Sequence, residues 1–98
     1  MRLAPWALAG PLLCLMLALP AAADCYADYK AKQDNPLRLA YGVSQISEGA
    51  CGKPKSARAE LEPRLAAGGW TLLKIVSTFG PEGLSERKAS AGEFFLRY

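Results

Sequence analysis

The stretch from Ser56 to Phe79 constrains this chain more than any other. Ala57, Leu61 and Leu65 recur at fourfold spacing, which places them on one stripe of a helix. Gly68-Gly69 supplies the left-handed turn that ends such a helix. Trp70 to Phe79 follows as a strand whose middle, Leu72-Leu73 and Ile75-Val76, is apolar on both sides. Ser56 is the expected N-cap. Pro63 is the flaw, since an interior proline removes a backbone bond and costs about 3 kcal/mol or bends the helix. Lys74 interrupts the strand and is expected at an edge or pointing past the sheet. The remaining segments read as what packs against this unit, with Trp70 to Phe79 as the central strand.

Ahead of it, Leu37, Leu39, Tyr41 and Val43 alternate with Arg38, Ala40, Gly42 and Ser44. That is the period of two of a half-buried strand over Leu37 to Ser47. Gly42 suggests a bulge or the close approach of another element. Ser47 to Lys55 carries glycines and Pro54 and reads as a loop. Asp24 to Asn35 reads as a short helix capped by Asp24, with Tyr26 and Tyr29 on its packing side and Asn35-Pro36 as its stop. After the turn Gly80-Pro81-Glu82-Gly83, Leu84 to Ala91 is a helical turn or irregular. Gly92 precedes an aromatic final strand, Glu93 to Tyr98.

The expected fold is therefore α+β: a short N-terminal helix, then β-α-β-β, with a small three-stranded sheet and helices on one face. The crossover leaves its two strands parallel, and the last strand fills the gap between them, antiparallel to both, as in a split β-α-β arrangement. The other face is expected to stay partly open. Exposed strand edges leave room for homodimerisation.

Met1 to Ala23 reads as a secretory signal peptide. Arg2 gives the positive start, Leu3 to Leu19 the apolar run, and Ala21 and Ala23 the small residues of the cleavage site. Removing those 23 residues from 98 leaves 75, Asp24 to Tyr98, as a single small α+β domain. The expected location is periplasmic or extracellular, with no stable membrane span after cleavage. A domain this small buries only about 60% of its unfolded surface and needs a staple. Cys14 leaves with the signal, so Cys25 and Cys51 allow a single pairing in an oxidising compartment. The bridge would contribute roughly 3 kcal/mol on the chain-entropy model.

Chemistry is sparse. The sequence contains no histidine, which removes the commonest general base, most catalytic zinc sites and any Ser-His or Cys-His pair. No metal site and no cofactor is expected. Cys25 and Cys51 lack the spacing of a redox motif. Glu60 and Glu62 diverge on a helix, and Asp24 and Asp28 read as helix N-terminal charges. Without Arg2 the chain keeps 11 basic against 9 acidic residues. Their signs are mixed, which gives no stripe for nucleic acid. Phe94 and Phe95, adjacent and so opposed in a strand, define a candidate interaction surface with Arg38, Lys74 and Arg97.

Tyr41-Gly42-Val43-Ser44-Gln45-Ile46, followed by Ala57, Leu61 and Leu65 before Gly69, resembles the opening of the SPOR peptidoglycan-binding domain. The glutamine falls one place later than in that family. The resemblance implies a cell-wall glycan binder as one alternative. A small carboxylate-dependent hydrolase, or its accessory subunit, is another. The leading expectation is an exported, non-enzymatic binding module with one disulfide, whose partner is an envelope protein or glycan.

Overall fold

The computed structural model describes residues 24–97. The expected signal segment, Met1 to Ala23, and Tyr98 lie outside the described residues. The α+β class is as expected: three antiparallel strands and two helices. In chain order these are β1 (Cys25–Gln33), β2 (Arg38–Ile46), α1 (Pro54–Ala67), β3 (Thr71–Phe79) and α2 (Leu84–Ala91).

The largest correction falls at the start. Where a helix was expected over Asp24 to Asn35, the chain is extended as β1. Cys25, Ala27, Tyr29 and Ala31 alternate on one face, each no more than 1% exposed. Tyr26, Asp28, Lys30 and Lys32 occupy the other face. Alternation that buries one whole face outweighs the helix preference of alanine and lysine. Asp34 to Leu37 is the turn of a β1–β2 hairpin, with Asn35 at φ 61° and a cis Asn35–Pro36 bond.

The sheet order is β2-β1-β3, with β1 antiparallel to both neighbours. β2 and β3 are therefore parallel and connected through α1, the expected split crossover. The strand in the gap, however, comes from before the crossover rather than after it. β1 is thus the central strand, and β3 lies at an edge.

Glu93 to Tyr98 does not form the expected last strand. Gly92–Phe94 is a 3-10 turn, and Phe95 makes one parallel bridge to Val43. Gly92 and Leu96 have φ of 54° and 60°. The backbone therefore turns on both sides of Phe95, and no extended run develops.

The helices are not on one face, a second correction. α1 lays Ala57, Leu61 and Leu65 against Cys25, Ala27, Tyr29 and Ala31. α2 places Ala91 and Leu84 against Tyr26, Val43 and Phe79 on the opposite face. Once the N-terminal segment is a strand, each face of the sheet has one helix, and α2 is too short to cover its face.

α1 runs unbroken through Pro63 and starts two residues before Ser56, with Pro54 in its first turn, where the missing N–H has no intrahelical role. At its end Trp70 N–H donates to Leu65 O (2.9 Å) and Gly69 N–H to Ala66 O (3.0 Å). Gly69 has φ 85°. This Schellman turn satisfies the last carbonyls and delivers Trp70 into the core. Cys25 and Cys51 are bonded, with Cα atoms 5.7 Å apart, tying the first residue of β1 to the loop before α1.

Candidate binding face

The face of β1 that bears Tyr26, Asp28, Lys30 and Lys32 divides into a covered and an uncovered half. At the covered half, under α2, Asp28 is 4% exposed. Its Oδ1 accepts from Ser77 Oγ (2.6 Å). Its Oδ2 accepts from Tyr41 Oη (2.7 Å) and Arg87 Nε (3.1 Å). Desolvation pushes the carboxyl pKa up, but the bonds from Ser77, Tyr41 and Arg87 outweigh it and hold the pKa below its ordinary value. The Tyr41 phenol is pushed up to about 12 by burial and by its bond to the Asp28 carboxylate. Arg87, with its guanidinium 3.9 Å from the centre of the Phe79 ring, also donates to Gly83 O (2.7 Å). Asp28 therefore pins α2 to the sheet through a charge that is fully paired.

Beyond Asp28 the face is uncovered. Lys30 stands opposite Tyr41 on β2 and Lys74 on β3. A bulge between Lys30 and Ala31 leaves Leu73 as the extra residue of β3. Lys30, Ala31, Leu39, Ala40, Tyr41 and Leu73 line an open cleft of about 300 Å³. Leu39 is 70% and Leu73 44% exposed. Neither Lys30 nor Lys74 has a hydrogen bond or ion pair among the described residues, whereas the neighbouring Lys32 pairs with Asp34 at 3.2 Å.

The surface residues expected from the sequence are spread over the molecule. Arg38 lies on the α1 face, 5.7 Å from the centre of the Trp70 ring, and donates to Gln33 Oε1 (3.2 Å). Phe94 packs edge-on to Trp70, with ring centres 5.3 Å apart. Phe95 joins Val43 and Ala91 on the other face. Both phenylalanines run along the outer edge of β2, are half-buried, and pack on opposite sides of the sheet. Arg97 shares a broad depression by α2 with Ser85, Lys88, Glu93 and Phe95. Lys74 sits on the far edge strand and lines a separate depression with Pro54, Lys55, Arg58 and Ile75 beside α1, so none of these five residues lines the cleft.

Sequence reading missed Lys30, Leu39, Tyr41 and Leu73 as a set. The signal available was the alternation of Tyr26, Asp28, Lys30 and Lys32, which carries meaning only once residues 25–33 are a strand. Among the acids, Glu60 accepts from Ser47 and pairs with Arg64, and Glu62 pairs with Arg58. The described residues contain no cluster of three or more cysteine or acidic side chains suited to a metal ion. No helix of the described residues is long and apolar enough to cross a membrane. Comparison of the chain with known protein families, curated proteins and solved structures gave no match.

Proposed function

We propose that the chain is an exported, non-enzymatic binding module held by the Cys25–Cys51 bridge, and that its partner docks on the half of the sheet left uncovered by α2. The observation that carries this reading is the composition of that half. Leu39 and Leu73 sit exposed beside Lys30 in one open cleft on the sheet. Exposed apolar groups rimmed by charge mark interaction sites. The export signal and the disulfide support an extracytoplasmic setting.

The test compares what the protein retains from an envelope fraction with and without this face. Leu39→Ser and Leu73→Ser change exposed side chains and are expected to leave stability within about 0.5 kcal/mol. They are expected to lose a species that wild type and an Arg97→Gln control both retain. Equal retention by all four proteins would remove the reading.

A further inference from the structure

An outer strand presents a row of unpaired N–H and C=O groups, and proteins that stay monomeric cover or break that row. The outer edge of β3 is treated in this way. Arg58 donates to the carbonyls of Leu72 and Leu73 (3.2 and 3.4 Å), Gly52 N–H donates to Thr78 Oγ1 (2.8 Å), and two register shifts interrupt the strand. The far end of β2 is covered as well. Val43 O accepts from Leu96 N–H (2.8 Å) and Gln45 O from Arg64 (2.7 Å).

In an antiparallel ladder a residue turns its N–H and C=O to the same side, and the side alternates along the strand. Val43 and Gln45 face away from β1, so Leu39 and Tyr41 do too. Neither backbone has a hydrogen bond on that side among the described residues. No bulge interrupts β2 there, and Leu39 is 70% exposed. This short stretch is the part of the two sheet edges left uncovered.

We propose that a second copy of this chain pairs with it, β2 against β2 and antiparallel, about a two-fold axis at Ala40. Leu39 of each copy then stands opposite Tyr41 of the other, and each such pair exchanges two backbone hydrogen bonds. Leucine against a phenol ring is a favourable cross-strand pair. Ala40 meets Ala40, and its small side chain suits the closer spacing of a non-hydrogen-bonded pair. Charge selects this register. An axis at Arg38 would set arginine opposite arginine, and one at Leu39 would leave the two arginines only about 7 Å apart along the strands. About Ala40, Arg38 faces Gly42, and the two arginine positions are about 14 Å apart, beyond the screening length of about 8 Å. An axis at Tyr41 is closed, because Phe95 already occupies the place beside Val43. The free edge is thus its own complement, as a closed two-fold dimer requires. It is short, so the dimer is weak and reversible. Two three-stranded sheets become one of six strands, with both uncovered halves on the same side. This inference stands apart from the binding reading above.

Sedimentation velocity on the expressed protein, from about 10 μM to about 1 mM, is expected to show dimer formation with a Kd of about 0.3 mM. In isotopically labelled protein the amide resonances of Leu39 and Tyr41 are expected to move with concentration. Leu39→Pro removes an N–H that β1 does not use, and edge strands accept proline. Leu39→Lys keeps the N–H and sets a charge on the joint. Both are expected to weaken dimerisation at least tenfold with the β1 amides in place. Leu73→Ser, on the opposite edge strand, is expected to dimerise as wild type does, so loss of the dimer and loss of the retained envelope species are read separately. Should Leu39→Pro fail to fold, Leu39→Lys decides. A chain monomeric throughout this range, a dimer unaffected by the variants, or concentration-dependent shifts centred on β3 would overturn the assignment. So would Leu39 and Tyr41 amides that respond only to an envelope species, which would give this edge to a strand of another protein.

Discussion

The hydrogen-bonded pair Asp28 and Tyr41 and the glycine at position 42 show how single positions hold this fold, and both cases can be measured. Asp28 has its pKa depressed by its three donors. A depressed carboxyl contributes stability that is present above its unfolded value and is lost as pH falls through the folded one. The urea midpoint is expected to drop below about pH 4, and Asp28→Asn is expected to flatten that limb. Tyr41 acts in the opposite sense: its raised pKa, about 12, gives stability that is complete below pH ~10 and fades as pH climbs toward 12, a limb that Tyr41→Phe removes. Gly42 is the second case. A Cβ placed there would stand 2.5 Å from Tyr29 Cζ and closer still to the hydroxyl. The glycine stands directly across from Tyr29 on the paired strand and leaves room for the ring. Gly42→Ala is expected to destabilise by about 2 kcal/mol, as overpacking does, read as a lower midpoint at unchanged slope in chemical denaturation.

The elements explain why β3 looked central and is not. Its middle is apolar on both sides because two different surfaces use it. Leu72 and Ile75 pack under α1, while Leu73 and Val76 are each 44% exposed. The two register shifts in its pairing with β1 make this possible. α1 spans the sheet it covers: Arg58 reaches the β3 carbonyls at one side, and Arg64 donates to Gln45 O (2.7 Å) on β2 at the other. The buried stripe and these ties outweigh the local cost of Pro63. At this level the register that sets Lys30 opposite Lys74 has a measurable consequence. Replacing Lys74 by Gln relieves repulsion across the ladder and is expected to raise Tm slightly, read by calorimetry against Lys74→Arg, which keeps the charge.

For the molecule as a whole, the disulfide is the main constraint beyond the core. It closes a separation of 26 residues and on the chain-entropy model contributes about 3 kcal/mol. It also fixes the start of the central strand, so every pairing partner of β1 depends on it. Cys25→Ser with Cys51→Ser is expected to lower Tm by roughly 15 °C, and reduction of the wild type should do the same in calorimetry. A drop of only a degree or two would mean that β1 is held by its two ladders alone.

Local pattern carried much of this architecture. The fourfold stripe of α1, the glycine pair that ends it and the alternation in β2 were readable because each depends on neighbours in sequence, and the Cys25–Cys51 pairing because only one pairing was open. The parallel relation of β2 and β3 was readable too, since one crossover helix joins them. What filled the gap between them was not. Local pattern favours residues 93–98 as the strand for it and a helix over residues 24–35, and the outcome turned on which segment could bury a complete face under α1 while pairing on both edges. The same holds for the binding face. Leu39 and Leu73 lie 34 positions apart in the chain and share one cleft only because β2 and β3 flank β1, a relation between distant segments that no local periodicity encodes.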